Sequence, residues 1–226
     1  MTSVLLALWL GGCGATGESK PPEPKETVLL LHGLGRTRFS MRPLERALQR
    51  GGFDAREWPY NSLSDSFASH ADRLKAELLR LDQDPAVSRI HLVGHSLGGI
   101  VARAALRDGL PAKFGRLVLL APPNQGSPLA STLAPLLGGL IEPLRELSDA
   151  PGSAVLQLRG PEGVEIGIIA ASADGKVPVA STHLDGETDH LVVAGFHTFL
   201  MNQEEVQMQV LHFLRHGQFD RRSGDM

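Results

Sequence analysis

The sequence predicts an α/β fold, a mostly parallel six-stranded sheet with helices on both faces. Two patterns point there. Short apolar runs alternate along the chain with longer segments whose apolar residues recur every three or four positions. The runs are continuously apolar, as expected of strands covered on both faces by crossover helices. The 226 residues, 42% of them hydrophobic, suffice for one domain with a substantial core. No internal repeat and no second domain is evident.

Residues 27–31 form the first candidate strand. Residues 39–50 read as a helix ended by Gly51-Gly52, and 53–59 as a weaker second strand. Residues 64–81 carry Phe67, Ala71, Leu74, Leu78 and Leu81 at helical spacing, which gives one apolar helix face. A strand at 89–93 is followed at once by a helix at 97–107. Strands at 116–121, 164–171 and 191–194 complete the sheet. A helix over 201–215, with Val206, Val210, Phe213 and Leu214 inward, closes the domain, expected over 27–217 and followed by a polar tail at 218–226.

The net charge is -3 and the 22 Lys and Arg residues are scattered, so no electrostatic footprint for nucleic acid is present. Beyond the N-terminus no stretch approaches the roughly 20 uninterrupted apolar residues of a membrane span. Cys13 is the only cysteine, which excludes a disulfide framework or a cysteine metal site.

The apolar run 4–10 is too short to span a bilayer and leads into Leu10-Gly11-Gly12-Cys13. That tetrapeptide resembles the lipobox of bacterial lipoproteins, in which the cysteine is lipidated and becomes the mature first residue. The resemblance implies a signal segment at 1–13, a Pro-rich charged tether at 14–26, and a protein anchored by lipid to the bacterial envelope. Only Met1, Thr2 and Ser3 precede the apolar run, without the basic residue usual there. The alternative is a cytoplasmic enzyme with an apolar N-terminus.

Gly94-His95-Ser96-Leu97-Gly98 lies between the strand at 89–93 and the helix that follows. This is G-x-S-x-G in the strand–turn–helix setting such a motif needs. A serine hydroxyl at the tip of so sharp a turn can project toward a base. Side chains two before and two after it would collide with neighbouring backbone, and Gly94 and Gly98 remove them.

With Leu31-His32-Gly33-Leu34-Gly35, Asp174-Gly175-Lys176-Val177-Pro178 and Gly195-Phe196-His197-Thr198, in that order around the elbow, the chain resembles the α/β-hydrolase family. Within that family it is similar to small bacterial lipases and esterases, from about residue 27 to 216. The larger members have eight strands, so six imply a minimal version of the fold.

Ligands of an open parallel sheet bind beyond the carboxyl ends of its strands. By that rule His32, Ser96, Asp174 and His197, each after a strand, share one edge. Asp185, Asp189 and His190 precede the last strand and belong at the other. Ser96 is the expected nucleophile, His197 the base, and Asp174 the carboxylate that orients the imidazole. Asp174 precedes His197 by 23 residues, which suits a loop, a strand and a turn. His95 is expected to support the turn.

The helix that begins at the elbow offers the backbone N–H of Leu97 to an oxyanion. The resemblance implies the N–H of Leu34 as second donor. Pro122-Pro123-Asn124-Gln125-Gly126-Ser127 resembles a loop of some lipases. It opens a leucine-rich stretch, 128–152, which reads either as a small cap hinged at Gly138 and Gly139 or as an ordinary packed helix. Expected substrate contacts are His32, Asn124, Leu133 and Leu137.

The resulting expectation is a monomeric serine hydrolase of acyl esters, lipids among them, requiring no metal or organic cofactor. A thioesterase, amidase or acyltransferase would use the same three residues. A non-catalytic binding protein with this fold need not retain them.

Overall fold

A computed structural model describes residues 23–139 and 141–221, without the side chains at 137 and 142. The expectations for 1–13 and for lipidation at Cys13 lie outside the described residues. Six strands form the sheet: β1 (Lys25–Leu31), β2 (Asp54–Glu57), β3 (Val87–His95), β4 (Phe114–Leu120), β5 (Glu165–Ala171) and β6 (Asp189–Val193). Their order is β2-β1-β3-β4-β5-β6, and every neighbouring pair is parallel. Between and after them run α1 (Arg42–Arg50), α2 (Phe67–Asp82), α3 (Leu97–Leu106), α4 (Pro128–Leu137), α5 (Glu142–Glu146), α6 (Ala154–Gln157), α7 (Val179–Thr182) and α8 (Glu204–His216).

Side chains alternate across each strand, and along 28–31, 90–95, 117–120 and 166–171 of the four inner strands both faces are dry. The edge strands β2 and β6 are partly exposed. Val28, Leu30, Val118 and Ile169 pack with Leu44 and Leu48 of α1 and with Val210 and Phe213 of α8. Leu29, Leu31, Leu117 and Ile168 face the other way, onto Leu74 and Leu78 of α2 and Ile100 and Val101 of α3. Burying each such side chain contributes roughly 1.5–3 kcal/mol. That is why the runs are apolar at every position.

The register brings the carboxyl ends together. Leu31 pairs with Gly94, His95 with Leu120, and Ala171 with Val193, so five strands finish along one edge. β6 starts earlier than its sequence suggests. Asp189 and His190 are its first residues, paired with Gly167 and Ile168 near the amino end of β5, and Asp185 lies just before them. All three therefore belong to the far edge.

Other boundaries differ for local reasons. The expected helix at 39–50 is a 3₁₀ turn, Arg38–Met41, followed by α1, because Pro43 has no N–H for the Phe39 carbonyl, which accepts from Arg42 N–H instead. α2 begins at Phe67 because the Ser66 hydroxyl accepts the N–H of Ser69 at 3.1 Å, and Asp65 before it has φ of 59°. The expected helix at 201–215 is a 3₁₀ segment, His197–Asn202, then extended Gln203, then α8, which ends at Gly217 with φ of 74°.

The domain is wider than expected at both ends. Lys25 and Glu26, placed in a tether by sequence, begin β1. Past residue 217, Phe219 is buried with its N–H donating to Asp189, and Asp220 N–H donates to Gln209. No helix among the described residues is long and apolar enough to cross a membrane.

Candidate active site

Ser96 sits between β3 and α3 with φ of 53° and ψ of -122°, a conformation L-residues rarely adopt. Such strain costs on the order of 1–3 kcal/mol and persists only where the surroundings enforce it. Here two glycines do so. A Cβ on Gly94 would stand 2.6 Å from the Gly99 backbone, and one on Gly98 would stand 2.5 Å from the Leu31 carbonyl oxygen. The elbow is thus pressed against the end of β1. Ser96 N–H donates to Leu120 O at 2.9 Å, which ties it to β4 as well.

His197 opens the 3₁₀ turn after β6, and its Nε2 lies 3.0 Å from Ser96 Oγ. Its Nδ1 lies 2.6 Å from Asp174 Oδ2. Asp174 Oδ1 accepts the backbone N–H groups of Lys176 and Val177, each at 2.8 Å. Burial alone would raise the Asp174 carboxyl. The His197 bond and charge and the two backbone donors outweigh it and hold the group below the usual carboxylate range. An ionised carboxylate only accepts, so Nδ1 carries the imidazole hydrogen and Nε2 turns its lone pair to the serine hydroxyl. Ser96 and His197 are both buried to within a tenth of full enclosure.

His95 completes the cluster. Its Nε2–H donates to the His197 carbonyl oxygen at 2.9 Å, while its Nδ1 is buried without a partner. Burial pushes this imidazole down to about 3, so the ring is neutral. The sequence expectation that it supports the turn understates its reach, since it also holds the backbone of the neighbouring histidine.

The N–H of Leu97, first residue of α3, has no intrahelical partner. Leu34 follows Gly33 in a turn closed by Arg36 N–H to Gly33 O at 3.2 Å, which leaves the Leu34 amide outside that bond. Gly35 N–H to Ser62 Oγ at 3.1 Å steadies the loop. Gly33 and Leu34 line the same pocket as Ser96 and His197, a cavity of about 130 Å³.

The cavity has an apolar wall. Leu129, Ala130 and Leu133 of α4, Leu144 and Leu147 in or next to α5, and Val177 form it. Leu133 is where the sequence places it, and the side chain of Leu137 lies outside the described residues. Val177 could be found from sequence as the close neighbour of Asp174. Of the wall residues, Ala130 carries no sequence signal.

Two expected substrate contacts are corrected. Asn124 is buried, accepts from Arg103 Nη1 at 2.8 Å and donates to Thr182 O at 2.6 Å, and it lines a separate groove. Its polar atoms are committed to joining α3 and α7. His32 is buried and stacked on Tyr60 at 4.4 Å, with its ring nitrogens against the carbonyls of Gly33 and Tyr60. It shapes the turn that holds Leu34 and does not line the cavity.

The 128–152 stretch is fastened to the body. Ala130, Leu144 and Leu147 are buried in the main core, Ser127 N–H donates to Leu147 O at 2.9 Å, and Glu146 accepts the N–H of Phe67 at 2.7 Å. Of the two glycines expected to hinge it, a Cβ on Gly138 would stand 2.6 Å from Arg145 Cγ, whereas one on Gly139 would meet nothing within 4 Å. Among the described residues, no group of three or more His, Cys, Asp or Glu side chains could hold a metal ion.

A family model described as alpha/beta hydrolase family matches residues 28–198. Among curated proteins none matches the sequence. Many solved structures do. The mature form of Bacillus licheniformis lipase BlEst2 aligns with a TM-score of 0.67 at 17% identity, covering 88% of this chain and 94% of that one. The Pyrococcus furiosus esterase Pf2001 aligns with 0.61 at 20% identity, over 85% and 83% of the two chains. Est1E from Butyrivibrio proteoclasticus aligns with 0.62 at 18% identity, over 87% and 90%. At these identities the likeness is one of fold.

Proposed function

The chain belongs to the alpha/beta hydrolase family, and from that premise we propose that it is a serine hydrolase of carboxylic esters with short acyl groups. The observation that carries the reading is the pair of contacts, 2.6 and 3.0 Å, linking a carboxylate through an imidazole to a serine on a strained elbow.

In the proposed reaction Ser96 Oγ bonds to the ester carbonyl carbon as its proton passes to His197 Nε2. The carbonyl oxygen becomes an oxyanion facing the N–H groups of Leu97 and Leu34. Collapse breaks the bond to the alcohol oxygen, which takes the proton from Nε2 and leaves an acyl ester on Ser96. Water then attacks that ester, its proton goes to Nε2, and the same proton returns to Ser96 Oγ as the acid departs. Asp174 keeps Nδ1 protonated and stabilises the imidazolium at each transfer.

Acyl length follows from volume. A cavity of about 130 Å³ is close to one of ~150 Å³ that accepts benzene. It suits a few carbons, and a long chain would extend beyond it.

A fluorophosphonate probe tests the nucleophile, and p-nitrophenyl esters of graded length test the substrate class. Labelling of the native protein, its loss in Ser96→Ala, and highest kcat/KM at about four to six carbons are expected. Labelling that persists in Ser96→Ala removes Ser96 from its role, and no labelling of either form favours a binding protein. The lipobox-like run ending at Cys13 supports a lipid anchor. Cys13→Ala is expected to move the protein from the membrane to the soluble fraction.

A further inference from the structure

We propose that the Ser96 pocket selects acyl esters whose alcohol half carries an anion, a phosphate or a carboxylate a few bonds from the scissile oxygen. The inference rests on the hydrolase reading above and adds the chemistry of the leaving group.

The charge of the pocket lining is one-sided. Among the described residues that line it are Arg36 and Lys176 and no Asp or Glu, although the whole chain is net negative at -3. Chance sampling of this surface would bring acids into the lining at least as often as bases. Neither cation is matched by the protein: among the described residues, neither Arg36 nor Lys176 forms an ion pair.

Asp174 is the nearest acid to Lys176 in sequence, and its oxygens are taken. Oδ2 faces His197, and Oδ1 accepts the two backbone N–H groups of Lys176 and Val177. The Lys176 ammonium donates instead to Thr198 Oγ1 at 3.3 Å, beside His197. Arg36 is half-buried in the loop that carries Leu34, and its Nε is enclosed with no acceptor. Burial is the main cause that keeps the imidazoles of His95 and His32 below their usual range, and the Arg36 charge adds to it at both. A guanidinium so placed has planar donors to spare, suited to a phosphate or carboxylate.

The lining holds both kinds of group. Leu129, Leu133, Leu144 and Leu147 are apolar, and exposed Lys176 and half-buried Arg36 are its cations. An acyl group against the leucines leaves the alcohol half for the rest of the lining. A neutral alcohol would leave both cations facing water only, and an anionic one meets both.

The gain is modest because neither cation is fully withdrawn from water. Exposed charge pairs contribute little each, so two together give a preference of roughly tenfold in kcat/KM at low ionic strength. Screening within about 3 Å at 1 M salt should abolish most of it.

The test compares 1-hexanoylglycerol, 1-hexanoylglycerol 3-phosphate and the hexanoyl ester of glycolate, followed by release of hexanoate. The two anionic esters are expected to exceed the neutral one by about tenfold at low salt and to converge on it at 1 M NaCl. Their ratio to one another tells phosphate from carboxylate recognition. In Arg36→Gln and Lys176→Gln the anionic-to-neutral ratio should fall, and in the double variant it should approach one. An anionic ester turned over no faster than the neutral one overturns the proposal, as does a preference that persists in 1 M NaCl or in the double variant. The fluorophosphonate label keeps the two readings apart. A labelled enzyme that hydrolyses all three esters equally loses the selectivity alone, whereas failure of both labelling and hydrolysis removes the hydrolase reading beneath it.

Discussion

His95 donates its Nε2–H to the backbone carbonyl of His197 across 2.9 Å, so the residue beside the elbow serine holds the main chain of the histidine that faces it. β3 and the segment after β6 are thereby joined at the point where proton transfer is proposed. The ring cannot act as a competing base, because burial keeps it neutral down to about pH 3.

Replacing His95 by alanine should therefore loosen His197 rather than remove a reacting group. The expected result is a fall in kcat of about tenfold with KM nearly constant, together with a stability loss of about 1–3 kcal/mol from the orphaned carbonyl and the cavity. Steady-state kinetics on a p-nitrophenyl ester and urea unfolding measure the two. A kcat equal to that of the native protein would show that His197 is held adequately by Asp174 alone.

Gly98 is the second test of geometry. A Cβ there would meet the carbonyl oxygens of Leu31 and His32 at 2.5 and 2.7 Å, both backbone atoms that cannot swing aside. Gly98→Ala must part α3 from β1 and shift Leu97 N–H with it. We expect at least about 2 kcal/mol of destabilisation and loss of most activity, read by thermal unfolding and ester hydrolysis. By contrast Gly175→Ala, where a Cβ meets nothing within 4 Å, should be near neutral in stability. Equal effects at the two positions would contradict the elbow packing.

Ser96, Asp174 and His197 are legible from sequence for one reason. In a parallel sheet every loop after a strand emerges at the same edge, so three residues distant in the chain must approach one another if the strands are placed correctly. Asn124 and His32 are not legible in this way, because a polar residue satisfied inside the protein and one left open for a ligand look alike in sequence. The wall formed by Leu129, Leu144 and Leu147 was only half legible. Its leucines are conspicuous, but Ser127 and Glu146, which fasten the stretch, give no periodic signal. The break at extended Gln203 is legible in hindsight: Met201 and Val206 are five apart, which an unbroken helix would turn to different faces, and the break lets both reach the same core.

Acid should unfold this protein in two stages. Burial lowers the folded-state imidazoles of His95 to about 3 and His91 to about 4, against 6.5 when unfolded. For a depressed pKa the unfolded chain binds the extra proton. The stability is complete above pH 6.5 and drains as pH falls toward the folded values, by about 1.4 kcal/mol per unit for each ring. Asp174 and Asp189, also held below their usual range, add their loss only below about pH 4. Glu57 works the other way. Burial raises its carboxyl to about 7, so the folded state binds the extra proton and gains stability as pH falls toward 4.5. That gain is less than the two rings lose, because the group is only partly buried. Urea midpoints should therefore decline from pH 6.5 to 4, and more steeply in Glu57→Gln; a flat profile in that variant would reject the buried neutral imidazoles.

Leu133 offers control over acyl length. It is partly buried on α4 and lines the cavity beside Leu129 and Leu144, with the chain packed behind it. Tryptophan at this position would fill much of a space of about 130 Å³ from the α4 side, and Leu133 takes no part in the contacts that join Ser96, His197 and Asp174. Leu133→Trp is expected to cut kcat/KM for p-nitrophenyl hexanoate at least about tenfold and to spare the acetate, since each excluded methylene forfeits about 0.8 kcal/mol of burial. Leu133→Ala should do the reverse and shift the optimum to longer chains. If both variants changed acetate and hexanoate in the same proportion, the acyl group would have to lie against some other wall than the one α4 and α5 provide.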